Sequence, residues 1–90
     1  IGTQRDRSAR MFAEYLQAAM SHAVYEQIED GTYFGEIPSF QGVWSNAATL
    51  EAARQELVEV LEEWILFRIS RQLDLPEVDG HTLAYAKASV

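Results

Sequence analysis

Carboxylates are the side chains in this sequence with the most scope for chemistry, and four of them lie close together: Glu56, Glu59, Glu62 and Glu63. Spacings of three and four residues place Glu56, Glu59 and Glu63 on one face of a helix. Such a stripe could receive a basic protein surface or a cation, although a solvated outer face is the simpler interpretation and the one we favour. These three residues are our candidate surface for a basic partner.

Other acidic residues are scattered over the segment with strand character: Glu26, Glu29, Asp30 and Glu36. An RNase H-type nuclease needs carboxylates gathered at strand ends to hold two metal ions. If Asp30 and Gly31 are the two residues of a hairpin turn, Glu26 and Glu36 project to opposite faces of the sheet. This placement is unfavourable for such a site. His22 and His81 could meet as a metal pair, but no third ligand stands at metal-site spacing. We predict no catalytic residue, no metal and no cofactor.

Motifs for phosphate or nucleophilic chemistry are absent from the sequence. No helix start directly follows Gly31, Gly35 or Gly42, so these glycines form no phosphate-binding loop. The chain has no Gly-x-Ser-x-Gly motif and no cysteine, and the lack of cysteine fits a reducing compartment. No apolar run approaches the roughly 20 residues that span a bilayer, and no signal-peptide core opens the chain. We therefore predict a cytoplasmic protein that does not associate with membranes.

The charge balance bears on possible partners. Fourteen acidic side chains stand against seven basic ones, giving a net charge of −7 at pH 7. Because phosphate binding needs clustered Lys or Arg, we predict no direct nucleic-acid binding. The strand aromatics would suit stacking on RNA only with interleaved basic residues, so we assign them to core and interface. An acidic surface favours a basic protein partner, although surplus acid also serves solubility.

The elements that must position these residues begin with a helix over residues 9–21, where apolar residues recur every three and four positions. Residues 1–10 contain three Arg and little apolar content, so we predict a flexible or non-native terminus there and a single domain over residues 11–90. A 90-residue chain buries a small core, so oligomerisation would add stability.

A hairpin follows, and its clearest signal is Asp30-Gly31, a dipeptide that favours the positive φ angles of a type I′ turn. With these two as the turn residues, two pairs share the predicted core face: Ile28 with Tyr33, and Val24 with Ile37. Two further pairs share the opposite face: Gln27 with Phe34, and Tyr25 with Glu36. Residues 38–42 then break the ladder, and a third strand runs over residues 43–45.

The longest periodic segment predicts a second helix that begins after Thr49, whose hydroxyl can accept a free N–H group of the first turn. One apolar stripe fits against the sheet: Leu50, Ala53, Leu57, Val60, Leu61 and Trp64. The C-terminal half is apolar nearly all round, so a second face needs cover, which self-association would supply. Our candidate oligomer interface is Trp64, Ile65, Phe67 and Ile69.

Pro76 and Gly80 close the helical region, and alternation over residues 81–87 suits a final edge strand. The predicted class is therefore α+β: an N-terminal helix, a three-stranded antiparallel sheet, a long helix packed on the sheet, and an edge strand. We find no internal repeat and no interdomain linker.

The middle of the chain resembles the HicB family, whose pattern is Asp-Gly-x-Tyr, then Pro-x-Leu-x-Gly, then Thr-Leu-Glu-Glu-Ala at a helix start. The resemblance covers about residues 24–75 and is closest to the short, stand-alone, UPF0150-type members. The residues that carry it are a fold signature: Asp30, Gly31, Tyr33, Pro38, Phe40, Gly42, Trp44 and Thr49. Two departures, Gln41 for a second Pro and Ala52 for a capping Glu, weaken the loop and helix start by about 0.5–1 kcal/mol.

The resemblance implies a truncated RNase H arrangement and an antitoxin that pairs with a small basic RNase toxin of the HicA type. Only ten residues follow Gly80, so we expect no added DNA-binding segment in this chain. Our leading hypothesis is a non-catalytic interaction domain that forms a homodimer or homotetramer and inhibits a HicA-like toxin. The alternatives are an orphan oligomeric scaffold and, less favoured, a metal-dependent nuclease on the truncated RNase H scaffold.

Overall fold

The computed structural model describes the backbone of residues 3–83 and the side chains of residues 11–83. Five elements follow one another in this range: α1 (Thr3–Met20), β1 (Val24–Gln27), β2 (Tyr33–Glu36), β3 (Trp44–Ala47) and α2 (Leu50–Ser70). The α+β class and the order of helix, three strands and long helix are confirmed. The final edge strand was predicted over residues 81–87, and most of this range lies outside the described residues. In the described part, residues 81–83, His81 forms an isolated antiparallel bridge with Val78.

The N-terminal helix is longer than its apolar pattern predicted. It begins at Thr3 rather than near residue 9, so most of the ten residues predicted to form a flexible terminus belong to its backbone. Its inner side contributes Tyr15 and Ala19 to the core.

The three strands form one antiparallel sheet in the order β1-β2-β3, but the β1–β2 register differs by one residue from the prediction. Tyr25 lies opposite Gly35, and Val24 lies opposite Glu36. A shift of one residue moves every side chain of a strand to the other face of the sheet. Val24, predicted to be core, is therefore exposed, and Tyr25 turns inward.

The turn geometry explains this shift. Gly31 N–H donates to Ile28 C=O at 2.9 Å and Ile28 N–H donates to Thr32 C=O at 2.9 Å, which leaves three residues in the loop. Gly31 has φ +88°, whereas neither Glu29 nor Asp30 has positive φ. The loop is thus a type I turn followed by a glycine bulge, and the two-residue type I′ turn that was predicted is wrong.

The connection from β2 to β3 consists of two successive turns. Phe40 N–H donates to Ile37 C=O across Pro38, and Val43 N–H donates to Phe40 C=O across Gly42, which has φ +94°. The turns place Phe40 in the core, 1% exposed. The predicted interruption at residues 38–42 is confirmed, and β3 begins one residue later than predicted.

The second helix packs on the sheet. Thr49 caps it as predicted, its hydroxyl accepting a hydrogen bond from Ala52 N–H at 3.0 Å. Ser45 on β3 donates to the carbonyl of Ala53 at 2.7 Å, which fixes the helix over the strands. The buried cluster draws on both helices, the loops and the segment after α2: Tyr15, Ala19, Ile37, Phe40, Val43, Leu57, Leu61, Ile65 and Val78.

The second helix ends at Ser70, six residues before Pro76, in a standard C-capping motif. Gln72 adopts φ +58°, and the Leu73 N–H donates to the Arg68 carbonyl at 2.8 Å, the pattern of a Schellman motif. The chain then returns along α1, where the Tyr15 hydroxyl donates to the Pro76 carbonyl at 2.5 Å. Within the described residues, neither helix is both long and apolar enough to cross a membrane.

Candidate interaction surfaces

The register gives the sheet one covered and one open face. Tyr25, Gly35 and Ser45 lie in one row across the three strands and face α2, because Ser45 bonds the helix backbone. Alternate residues point away from the helices. We call this second side the open sheet face: Val24, Glu26, Ile28, Phe34, Glu36 and Trp44.

Aromatic and aliphatic side chains occupy the centre of the open sheet face. Phe34 and Trp44 stack with ring centroids 5.8 Å apart and planes inclined by 25°. Trp44 is 55% exposed and Val24 50% exposed, and Ile28, just beyond the end of β1, is also exposed. Scattered apolar residues on a protein surface are ordinary, but a contiguous aromatic patch on one sheet face is typical of an interaction site.

The same face carries only negative charge. Glu26 and Glu36 lie on it together, since Val24 pairs with Glu36 and Glu26 with Phe34; their predicted placement on opposite faces is wrong. The sequence has no Lys or Arg between Arg10 and Arg54, so none of the three described strands supplies a basic residue. Among the described residues, no three His, Cys, Asp or Glu side chains are grouped to hold a metal ion.

An acidic corner borders this face at the β1–β2 turn. The Asp30 carboxylate accepts hydrogen bonds from the Thr32 hydroxyl at 2.6 Å and the Thr32 N–H at 2.9 Å. These bonds, the hydroxyl first, lower the pKa of Asp30 below its ordinary value. The carboxylate is thus stabilised in its charged form, which adds to the negative charge along this edge of the open sheet face.

The four residues of the predicted oligomer interface do not share one surface. Ile65 is 0% exposed and belongs to the core, so it is unavailable to a partner of the folded chain. Trp64 and Ile69 are half-buried against that core, Trp64 lying 5.0 Å from Phe40 between ring centroids. Only Phe67 is well exposed, at 53%.

A different residue accompanies Phe67 on the outside of α2. Leu66 is 60% exposed, and the Arg71 guanidinium lies over the Phe67 ring at 5.0 Å. We call Leu66, Phe67 and Arg71 the helix-end patch. The sequence did not single out Leu66. On the helix it lies roughly opposite Leu57, Leu61 and Ile65, which the structure shows to be buried.

The acidic stripe on α2 lies where its spacing predicted, on the solvent side. Glu56, Glu59 and Glu63 are all exposed, and Glu59 accepts a weak hydrogen bond from Gln55 at 3.3 Å. No exposed aromatic residue lies among them. The stripe and the open sheet face are on opposite layers of the molecule, because α2 packs on the other side of the sheet.

The two histidines take separate roles in the fold. His22, just after α1, contacts both oxygens of Asp79 through Nε2, at 2.8 and 2.9 Å. His81 lies further along the C-terminal segment and pairs through its backbone with Val78. The His22–Asp79 contact is half-exposed and ties the returning segment to the end of α1, which is a structural role.

Comparison with known proteins finds one matching family model and a similar solved structure. A family model described as UPF0150-like matches residues 14–76. The crystal structure of TTHA0281 from Thermus thermophilus is similar to this chain with a TM-score of 0.80 and 35% sequence identity. The alignment covers 84% of this chain and 95% of that one. No curated protein matches the sequence.

Proposed function

The chain belongs to the UPF0150-like family, and we propose that it is a non-catalytic interaction domain that binds a small basic protein in the cytoplasm. Its resemblance to HicB antitoxins suggests the kind of partner, a HicA-like RNase that the domain would mask. The observation that carries the proposal is the open sheet face, where an aromatic stack lies among carboxylates.

The chemistry of this face supports a protein partner. Interface centres are enriched in Trp, Tyr and Phe, and exposed Trp residues often carry a large share of the binding energy. Trp44 is held by its stack on Phe34, so little side-chain freedom remains to be lost on binding. The face therefore offers a rigid aromatic anchor.

The charge of the face supports a basic partner over a second copy of the chain. Two copies meeting through their sheets would bring Glu26 and Glu36 of one against the same carboxylates of the other. Like charges facing each other across an interface cost several kcal/mol. Lys or Arg residues of a partner would instead pair with the carboxylates and could stack on the Trp44 ring.

The test is capture of the tagged chain from nuclease-treated host lysate, followed by calorimetry with whatever small basic protein co-purifies in stoichiometric amount. We expect Trp44→Ala to weaken binding by about 2 kcal/mol or more, about thirtyfold, and Glu26→Lys with Glu36→Lys to abolish it. The matched control is Glu56→Lys with Glu59→Lys, the same charge change on the α2 stripe. Loss of binding in the control alone would place the partner on the stripe and contradict our assignment.

A second candidate function, self-association, is supported by the helix-end patch. Glu63 and Arg71 lie four residues before and after Phe67, so two antiparallel copies of α2 would bring each Arg71 near a partner Glu63 around paired Phe67 rings. Such a two-fold arrangement is self-complementary. We expect sedimentation to show a dimer that Phe67→Glu converts to monomer and Trp44→Ala leaves intact, because one two-fold patch joins two copies. A defined multimer recovered from lysate without another protein would favour the orphan scaffold.

The absence of catalysis is also open to test. The purified chain should leave RNA and DNA intact with Mg²⁺ or Mn²⁺. Nuclease activity that disappears in both Glu26→Gln and Glu36→Gln would overturn the non-catalytic proposal, since those carboxylates now share one face.

A further inference from the structure

A groove of about 430 Å³ lies between α1 and α2, away from both interaction surfaces. Its volume falls in the range of small-ligand sites, roughly 300–1,000 Å³. It is lined by α1 residues and by two residues from the first half of α2: Ala13, Leu16, Gln17, Met20, Ser21, Arg54 and Val58. None of these belongs to the open sheet face or to the helix-end patch.

The lining is mostly apolar, with polar groups confined to a few positions. Leu16, Met20 and Val58 are half-buried and supply aliphatic and thioether surface that adapts to an apolar body. No carboxylate lines the groove, although the chain has fourteen acidic residues. Arg54 is its one charged lining residue.

The Arg54 guanidinium is available to a ligand. Among the described side chains, it makes neither an ion pair nor a hydrogen bond, and the one salt bridge in that part of the chain joins His22 to Asp79. Arg54 is exposed and lines the groove, so its charge can be reached from solvent. A guanidinium binds a carboxylate through two parallel hydrogen bonds.

We propose that this groove binds a small monocarboxylate with an apolar body, of the chemical class of a medium-chain fatty acid. The carboxylate would bind Arg54, and the tail would lie along Leu16, Met20 and Val58. A single guanidinium beside aliphatic walls matches one negative charge on an apolar molecule, whereas a phosphate group would call for more donors. The site is separate from the partner and self-association surfaces, so its failure would leave the proposed function untouched.

The experiment is a titration of the ¹⁵N-labelled full chain with sodium decanoate, below its micelle concentration, followed by amide shifts. We expect saturable shifts in residues of α1 and in the first half of α2. Arg54→Gln should weaken the affinity at least about tenfold, the size expected for a charge-assisted hydrogen bond. Arg68→Gln, an equal charge change on the same helix outside the groove and outside both interaction surfaces, should leave the affinity within about twofold.

Two further comparisons separate the carboxylate from the tail. Decanol, which has the tail without the charge, should bind at least about tenfold more weakly than decanoate. Val58→Glu, with folding checked by circular dichroism, should abolish binding by placing a like charge in the groove. Equal affinity for decanol, equal losses in Arg54→Gln and Arg68→Gln, shifts confined to the helix-end patch, or no saturable binding would each overturn the proposal.

Discussion

At the residue scale, the Asp30–Thr32 pair shows how a turn fixes both geometry and charge. One carboxylate oxygen accepts from the hydroxyl and the backbone N–H of the same threonine. These hydrogen bonds hold the loop in a conformation in which Asp30 does not have a positive φ angle. The residue with positive φ is Gly31, at +88°. The side chain thereby supports the three-residue loop, and the loop determines which residues lie on the open sheet face.

The same pair predicts an acid titration. Because the charged form of Asp30 receives the hydrogen bonds, its pKa lies below the ordinary aspartate value. Its contribution to stability is present above the unfolded pKa and is lost as pH falls through the lowered folded pKa. Carboxyl-carbon NMR should show the pKa of Asp30 below the ordinary aspartate value, and Thr32→Val should move that pKa upward. An unchanged midpoint in Thr32→Val would contradict the assigned cause.

At the scale of elements, the register of β1 on β2 has a direct test at Gly35. A Cβ atom there would lie 2.8 Å from Cδ1 and Cε1 of the Tyr25 ring and 3.1 Å from the Ser45 hydroxyl. We expect Gly35→Ala to lower the free energy of unfolding by about 1–3 kcal/mol, the usual cost of overpacking, as measured by urea denaturation.

A double-mutant cycle identifies the obstacle. In a Tyr25→Ala background, Gly35→Ala should cost much less, because the ring is gone. In the register predicted from the sequence, Gly35 would lie opposite Glu26, and alanine would be tolerated in both backgrounds. Equal and small costs in the two backgrounds would therefore favour that register over the one in the structure.

Most helices and strands could be predicted from the sequence. The assignment of strand residues to the two faces of the sheet could not, and the reason is the loop between β1 and β2. Thr49 marked the start of α2, and Pro38 with Gly42 marked the break between strands. The dipeptide Asp30-Gly31 suits a two-residue type I′ turn and also a three-residue loop with a glycine bulge. These alternatives differ by one residue in register, which was enough to exchange the predicted core and open faces.

The candidate surfaces were harder to predict from the sequence for a related reason. The second half of α2 is apolar nearly all round, so periodicity alone could not separate the buried Ile65 from the exposed Leu66 and Phe67. What decides between them is the contact of α1 and the returning segment with α2, a tertiary feature that a local pattern does not carry.

At the scale of the whole molecule, charge is divided between layers. Every Lys or Arg whose side chain is described lies on α2 or at its C-terminal cap: Arg54, Arg68 and Arg71. Of the charged groups, the three described strands contribute only acidic ones. A basic partner on the open sheet face and a second copy at the helix-end patch would therefore use separate surfaces, and the domain could engage both at once.

The two ends of the described chain are joined through Tyr15, whose hydroxyl bonds the carbonyl of Pro76, 61 residues away. Removing it in Tyr15→Phe should cost about 0.5–1.5 kcal/mol at pH 7, the net value of such a bond. Hydrogen exchange should show faster opening of the segment after α2. Tyr25→Phe is the matched control, because the Tyr25 hydroxyl makes no hydrogen bond to the described residues, and we expect it to change stability little at that pH.

The same tyrosine predicts how stability changes in alkali. Burial raises the pKa of Tyr15 above its ordinary value, with Arg68 offsetting part of the rise, so the native chain keeps a proton that the unfolded chain releases. Stability is therefore fully present below about pH 10, the unfolded pKa of tyrosine, and falls as pH rises through the raised pKa. Urea denaturation at several alkaline pH values should show a shallower fall in both Tyr15→Phe and Tyr25→Phe, since burial raises both pKa values. An alkaline slope unchanged in Tyr15→Phe would mean that its hydroxyl ionises as freely in the folded chain as in the unfolded one, which is incompatible with a buried bond to Pro76.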